Sequence, residues 1–171
     1  PYAPELVQAR QEGATITSEM EVFMALCPAP IYGVTGSDGK TTTSTILSRL
    51  LEAEGYTTWL GGNIGTPLLE HVKEISASDQ VVVELSSFQL SSMRQSPDVA
   101  VITNISPTHL DVHRDYQEYI GAKKNIMLFQ SFMGRLVLNG SNYETQTLTS
   151  EARGEIAWFN DRHGSFGTLY V

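Results

Sequence analysis

Apolar runs alternate along the chain with segments that have the spacing of amphipathic helices. The predicted strands are 31–35, 57–60, 80–85, 99–103, 135–138, 156–159 and 168–171. The predicted helices are 19–26, 40–54, 67–75, 116–132 and 142–152. Two of the strands, 80–85 and 99–103, are apolar without alternation, which is typical of strands covered on both faces. The alternation of strand and helix predicts an α/β fold, a mostly parallel sheet with helices on both sides.

The helix predicted over 40–54 carries an apolar stripe with helical spacing, and Gly55 follows it as a stop. The members of this stripe are Thr43, Ile46, Leu47, Leu50 and Leu51. The pattern therefore predicts which face of this helix is buried.

A glycine-bounded turn joins the first predicted strand to this helix and reads Thr-Gly-Ser-Asp-Gly-Lys-Thr-Thr-Thr from Thr35. Glycines at such a turn let main-chain N–H groups point at an anion, and the helix that follows adds its positive end. The lysine adds a mobile charge, and the first threonine after it can reach Mg²⁺. The general phosphate-loop pattern has a further glycine where Val34 stands here. We predict a nucleotide phosphate site formed by Gly36, Ser37, Asp38, Gly39, Lys40, Thr41 and Thr42.

Polar side chains also follow the other predicted strands, where ligands of parallel sheets collect. Glu84 ends a buried apolar strand, and His109 follows the next strand along the sequence. A carboxylate and a neutral imidazole are both metal ligands, so these two residues are predicted to hold a metal ion. Alternatively, Glu84 reaches solvent and His109 is a solvated loop residue. Asn63 lies in the glycine-rich loop 61–65 and is a further candidate for the site. A tight turn without a binding role would also explain asparagine and glycine at these positions.

Lys123 interrupts an apolar helical stripe that contains Tyr119, Ile120 and Ile126, whereas Lys124 is rotated by about 100° around the helix. One interpretation is that the methylene chain of Lys123 packs along apolar surface while its ammonium reaches water. The other is a partly desolvated lysine whose amine has a lowered pKa and is used chemically.

Composition and charge restrict the class of protein. The chain has 171 residues and a net charge of −8, which argues against nucleic acid or an anionic membrane as partner. The single cysteine, Cys27, excludes an intrachain disulfide and is expected to be a small buried residue. No segment approaches the roughly 18 to 20 apolar residues of a membrane span, and no signal-like start is present. We expect a cytoplasmic monomer, and the missing initial methionine suggests a piece of a longer protein.

Five motifs together resemble the ATP-binding central domain of the Mur ligases, the amino-acid ligases of peptidoglycan precursor synthesis. They read Thr-Gly-Ser-Asp-Gly-Lys-Thr-Thr, Gly-Asn-Ile-Gly-Thr-Pro-Leu, Glu-Leu-Ser-Ser-Phe-Gln-Leu, Thr-Asn-Ile-Ser-Pro-Thr-His-Leu-Asp and Tyr-Ile-Gly-Ala-Lys, and they span about positions 31 to 124. The second and third motifs resemble the members that add D-glutamate to UDP-N-acetylmuramoyl-L-alanine, since the relatives specific for diaminopimelate or lysine typically carry histidine where Phe88 stands.

The resemblance implies a reaction that uses ATP and Mg²⁺. ATP phosphorylates the terminal carboxylate of UDP-N-acetylmuramoyl-L-alanine, which gives an acyl phosphate. The amine of D-glutamate attacks this acyl phosphate, and the loss of phosphate gives an amide.

The resemblance also implies residue roles. Lys40, His109 and Lys123 would be catalytic, Thr41, Glu84, His109 and a carbamylated Lys123 would hold metal ions, Asn63 would contact nucleotide or substrate, and Ser86 would lie beside the substrate. Thr108 departs from many relatives, which have an acidic residue there.

The resemblance further implies that residues 1–171 form one central domain of a three-domain ligase, without the UDP-binding and C-terminal domains. Such a fragment alone is expected to be inactive. Two other classes remain open, a phosphate-loop kinase or ATPase and a non-catalytic nucleotide-binding module. Within the same reaction class, folylpolyglutamate synthases have a related central domain.

Overall fold

The computed structural model describes residues 3–107 and 113–160, which form six helices and six strands together with two short 3₁₀ turns. The helices are α1 (Pro4–Gln11), α2 (Glu19–Leu26), α3 (Lys40–Ala53), α4 (Ser87–Ser92), α5 (Tyr116–Leu128) and α6 (Tyr143–Thr147). The strands are β1 (Ile31–Thr35), β2 (Thr58–Gly62), β3 (Gln80–Glu84), β4 (Val99–Ile102), β5 (Arg135–Asn139) and β6 (Glu155–Phe159). The 3₁₀ turns are Leu69–His71 and Leu148–Glu151.

All six strands pair in parallel in one sheet, in the order β2-β3-β1-β4-β5-β6. The connection from β1 through α3 to β2 runs one way across the sheet, and that from β4 through α5 to β5 runs the other way. Because such crossovers are right-handed, α3 and α5 lie on opposite faces. The predicted α/β architecture, with helices on both sides of a parallel sheet, is confirmed.

The strand register brings the ends of β1, β2 and β3 together. Val34 of β1 and Gly62 of β2 both pair with Glu84 of β3. The loop that follows β1 therefore begins beside Glu84, at the edge of the sheet where parallel strands end.

The core lies between the sheet and its helices, and β3 is buried along its whole length. In β4, by contrast, Ala100 and Ile102 are buried while Val99 and Val101 are half-buried. On the α5 face, a Cβ at Gly33 would lie 2.6 Å from Pro97 Cγ, so helix and connection pack closely on β1. Among the described residues, no helix is long and apolar enough to cross a membrane.

The buried face of α3 differs from the predicted stripe. Ser44 and Ser48 are buried, whereas Ile46 is 54% and Leu50 60% exposed. The helix is thus rotated relative to the face that apolar spacing indicated. The small side chains of Ser44 and Ser48 let the helix lie close to the sheet. This close packing, and not the number of apolar residues on a face, decides which face of α3 is buried.

Three predicted helices are shorter or less regular than expected. The segment 67–75 forms only the turn Leu69–His71, with main-chain bonds between residues three apart, while Leu68 and Ile75 are buried at its two ends. Helix α5 ends at Leu128, and the segment 142–152 divides into α6 and the turn Leu148–Glu151.

The sequence analysis did not predict α1 and α4. Helix α4 has a capping box, in which the Ser86 hydroxyl accepts from Gln89 N–H and the Gln89 side chain accepts from Ser86 N–H. The Ser86–Gln89 pair was therefore a readable sequence signal for the start of this helix.

Cys27 is half-buried and not fully buried, and burial raises the pKa of its thiol. The strand predicted over 168–171 lies outside the described residues.

Candidate functional site

The turn after β1 has a shape that requires its two glycines. Gly36 has φ 156°, and a Cβ there would lie 1.8 Å from the Thr103 hydroxyl oxygen. Gly39 has φ 78°, in the left-handed region, and is the residue from which α3 starts. The loop therefore packs directly on the end of β4 and turns sharply into the helix.

The N-terminus of α3 differs from that of most helices in the described part of the chain. Side chains cap α2, α4, α5 and α6, through Ser18, Ser86, Asp115 and Asn142 respectively. None of the described side chains caps α3. The first main-chain N–H groups of a helix have no partner within it, so this end offers free donors and a positive dipole end to an anion.

Lys40, the first residue of α3, places its ammonium over the same loop. Its Nζ donates to the carbonyl oxygens of Gly36 at 3.0 Å and Ser37 at 3.2 Å. The side chain is half-buried. The positive charge thus lies on the loop that sequence analysis assigned to phosphate.

Three residues predicted for the site meet around one buried carboxylate. Glu84 is 1% exposed, and its two oxygens accept from Thr41 Oγ1 at 2.8 Å and Asn63 Nδ2 at 2.9 Å. The main-chain N–H of Asn63 donates to the Glu84 carbonyl at 2.8 Å. This close approach requires glycine at position 62, because a Cβ there would lie 2.2 Å from the Glu84 carbonyl oxygen and because its φ of 99° is in the left-handed region.

Lys123 lies 1% exposed beneath the loop, on the inward face of α5 that the sequence indicated. Its Nζ donates to the Gly36 carbonyl at 2.8 Å and lies 4.7 Å from the centre of the Tyr119 ring. Burial, together with the positive charge of Lys40, lowers the pKa of Lys123 to about 7. The amine is therefore available in its neutral form near neutral pH. Lys124, by contrast, pairs with Glu151 at the surface.

Residues 103–106, which follow β4, hold the loop in place, and sequence analysis assigned no role to them. Ser37 is buried, and its hydroxyl contacts Ser106 N–H at 2.9 Å and the Tyr119 hydroxyl at 2.9 Å. Thr103 Oγ1 donates to the Asp38 carbonyl at 2.6 Å. The readable signal was the polar run that begins where β4 ends.

The remaining predicted residues have different positions. Thr42 is exposed in the first turn of α3. Ser86 lies two residues after Glu84 and is occupied as the cap of α4. His113, which sequence analysis left unassigned, is buried and contacts Ser87 Oγ at 2.9 Å. His109, together with Thr108, lies outside the described residues.

The donor set suits Mg²⁺ better than a metal that needs several nitrogen or sulfur ligands. Within residues 3–107 and 113–160, no three His, Cys, Asp or Glu side chains cluster as a metal centre. Mg²⁺ prefers oxygen and is commonly held by one or two carboxylates, with water and substrate phosphates completing its shell. The carboxylate of Glu84 and the hydroxyl of Thr41, beside a phosphate-type loop, match that requirement.

Comparison with known proteins agrees with this geometry. The Mur ligase middle domain family matches residues 34–163, more than half of the chain. UDP-N-acetylmuramoylalanine–D-glutamate ligase of Clostridium kluyveri is 58% identical over 158 residues, which cover 92% of this chain and 34% of that protein. The ligase of the same name from Acetivibrio thermocellus is 56% identical over 157 residues, with the same two coverages. The chain thus spans about a third of the length of these curated relatives.

Solved structures share the fold at lower identity. UDP-N-acetylmuramate:L-alanyl-gamma-D-glutamyl-meso-diaminopimelate ligase of Neisseria meningitides superposes with a TM-score of 0.67 and 21% identity, over 93% of this chain and 55% of that one. MurF ligase of Thermotoga maritima in complex with ADP gives 0.64 and 23%, over 84% and 35%. FolC of E. coli in complex with DHPP and ADP gives 0.58 and 18%, over 84% and 47%. On the family match and the identity to these two D-glutamate ligases, the chain belongs to the Mur ligase family and carries its middle domain.

Proposed function

We propose that this chain is the ATP-binding central domain of a three-domain ligase that adds D-glutamate to UDP-N-acetylmuramoyl-L-alanine. One observation carries the proposal: an uncapped helix N-terminus behind a glycine loop, with Lys40 over the loop and, beside it, the buried carboxylate of Glu84 that accepts from Thr41. The choice of substrates rests on the names of relatives that are 58% and 56% identical. Because the chain spans 34% of those relatives, the complete activity belongs to the full-length protein.

The phosphate loop would bind the phosphates of ATP and stabilise phosphoryl transfer. The terminal carboxylate of the UDP-linked substrate attacks the γ-phosphorus, which forms an acyl phosphate and releases ADP. The neutral amine of D-glutamate then attacks the acyl carbon, phosphate leaves with the electrons of the broken C–O bond, and the nitrogen loses one proton to solvent to give the amide. Charge on the transferring phosphoryl oxygens would be met by the Lys40 ammonium and by the main-chain amides at the start of α3.

Glu84 and Thr41 would hold Mg²⁺, and His109 is proposed as a further ligand. When bound, the ion would offset the negative charge of the phosphate oxygens. Glu84 is well suited to this role because Asn63 orients its carboxylate and burial removes competing water. Asn63 would in addition contact nucleotide or substrate from its exposed loop.

Lys123 is proposed to act as a carbamate. Its neutral amine would attack CO₂, forming an N–C bond, and would release a proton to solvent. The product is an anion, which can act as a ligand for a cation, whereas the unmodified ammonium cannot. A buried position and a lowered pKa favour the neutral amine that this reaction needs.

Ser86 is proposed to lie beside the UDP-linked substrate, since it follows Glu84 at the same edge of the sheet. The reaction would take place in the cytoplasm, where ATP and nucleotide-linked sugars are available.

The test is an assay of the full-length protein with ATP, Mg²⁺ and UDP-N-acetylmuramoyl-L-alanine, in which phosphate release is followed with different amino acids. We expect release that depends on D-glutamate, with little release when L-glutamate or diaminopimelate replaces it. Release that requires a folate and L-glutamate would instead indicate a folylpolyglutamate synthase. Release without any acceptor would indicate a simple ATPase.

A further inference from the structure

An asparagine side chain bridges the end of β4 to the phosphate loop. Asn104 Oδ1 accepts from the Asp38 N–H at 3.0 Å, and Asn104 Nδ2 donates to the Asp38 carbonyl at 3.2 Å. The main-chain carbonyl of Asn104 accepts from the Ser37 N–H at 2.9 Å. One residue thus pairs with two successive loop residues and continues the β1–β4 ladder beyond the strands.

The Asn104 segment is itself held from the β5 side by two further asparagines. Asn142 pairs with both main-chain groups of Ile105, at 3.1 and 3.2 Å, and Asn139 Nδ2 donates to the Thr103 carbonyl at 2.9 Å. The support under the loop therefore extends from β5 through β4. Asn104 is the last member of this series and the one that contacts the loop.

These contacts change which loop amides are free for an anion. The N–H groups of Ser37 and Asp38 both donate to Asn104, so the free donors begin at Gly39, where α3 starts uncapped. Because the Asn104 amide bonds both the N–H and the carbonyl of Asp38, it fixes the orientation of the peptide plane between Asp38 and Gly39. Donors that are oriented before the ligand arrives do not have to be ordered on binding, which strengthens binding.

We propose that Asn104 is a positioning residue that pre-orders the phosphate loop for nucleotide binding. The inference rests on the proposed function, because it presumes that the loop binds ATP. Both polar atoms of the Asn104 amide are directed at Asp38, so the residue acts through the loop and not on the reacting atoms.

The test compares Asn104→Ala with the unmodified full-length protein. We expect the dissociation constant of ATP, measured by calorimetry with Mg²⁺, to rise roughly tenfold, which corresponds to the net loss of one or two hydrogen bonds. The KM for ATP should rise by a similar factor, while kcat at saturating ATP stays within about twofold. That split distinguishes positioning for binding from a part in the chemistry.

Asn125→Ala is the matched control. Asn125 Nδ2 donates to the Leu90 carbonyl at 2.8 Å and links α5 to α4 without touching the loop. Its loss should lower the unfolding temperature about as much as Asn104→Ala does, but leave ATP affinity unchanged. Equal weakening of ATP binding in both variants would mean general destabilisation and would overturn the inference.

Thr103→Val gives a second, nearly isosteric probe, because it removes the hydroxyl that donates to the Asp38 carbonyl at 2.6 Å. It should also weaken ATP binding, and its effect should not be additive with Asn104→Ala, since both contacts hold the same carbonyl. ATP affinity within twofold of wild type in Asn104→Ala would overturn this inference alone. A wild-type protein that binds no ATP would overturn the proposed function and the inference together.

Discussion

Lys40 and Lys123 donate to the same oxygen atom, the carbonyl of Gly36, at 3.0 and 2.8 Å. The two ammonium groups reach it from α3 and α5, which lie on opposite faces of the sheet. Two like charges near one acceptor oppose each other, and the structure accommodates them because burial favours the neutral form of Lys123. The charge of Lys40 on the phosphate loop therefore affects the protonation of Lys123.

Lys40→Ala in the full-length protein should abolish ATP-dependent phosphate release, because a charge directed at the transferring phosphoryl group stabilises the transition state strongly. Its free energy of unfolding should change little, since Lys40 is half-buried and bonds only to its own loop among the described residues. Steady-state phosphate release and urea unfolding measure the two effects. Arg49→Ala, which removes an exposed charge from the same helix, is the control and should keep normal turnover. Near-normal turnover of Lys40→Ala would show that the loop is not the ATP site.

Glu84→Gln keeps the size of the side chain and removes its charge. The Mg²⁺ concentration that supports half-maximal activity should rise well above that of the wild type, while folding without nucleotide should barely change. A Mg²⁺ titration of phosphate release measures this. A structure with Mg²⁺ and nucleotide, in which Glu84 and His109 both lie beyond about 5 Å from any metal ion, would contradict the metal assignment, given Mg–O distances near 2.1 Å.

Lys123→Ala should lose activity in the full-length protein, and short carboxylates added to the assay should restore part of it by filling the vacated place. Lys124 is the matched neighbour. Its pair with Glu151 lies at the surface, where such pairs contribute roughly 0 to 1 kcal/mol, so Lys124→Ala should be nearly silent. The reverse result, with Lys124 essential and Lys123 dispensable, would show that the modified lysine was assigned to the wrong helix face.

The lowered pKa of Lys123 predicts a specific dependence of stability on pH. Between pH about 7 and 10.5 the unfolded chain keeps the Lys123 proton and the folded chain does not, so the free energy of unfolding should rise with pH in this window. The contribution is at most about 1.4 kcal/mol per pH unit and is constant outside the window. Urea unfolding at several pH values in CO₂-free buffer measures it. Lys123→Met should lack this rise, and an identical slope in both proteins would contradict the prediction.

Ser44→Ala should stabilise the protein by about 1 kcal/mol. The Ser44 hydroxyl is buried and is without a hydrogen-bond partner among the described residues, and alanine is also the better helix former. Thermal unfolding should show a rise of roughly 2–4 °C for a chain of this size. Thr145→Val is the contrasting variant, because the buried Thr145 hydroxyl donates to the carbonyls of Asn139 and Asn142 and its loss should destabilise. A lower unfolding temperature for Ser44→Ala would contradict the argument.

Much of the fold and part of the site could be predicted from local pattern. Strand β1 and helix α2 have the predicted bounds, and the inward face of Lys123 follows from spacing within α5. The resemblance implied that Glu84 and Thr41 hold metal ions in one site, but the direct hydrogen bonds from Thr41 and Asn63 to Glu84 were not readable from local pattern, because these residues are 43 and 21 positions from Glu84 along the chain. Only strand order and register bring them together.

The sequence by itself determined the alternation of strands and helices, the glycine loop before α3 and the motifs that place the chain in its family, since each depends on neighbouring residues. Tertiary structure decided which face of α3 is buried, because close packing of Ser44 and Ser48 outweighs the apolar stripe. It also decided that Asn104 holds Asp38, a contact across 66 positions. The physical reason is that periodicity reports the environment of one element, whereas hydrogen bonds between elements depend on where the other strands end.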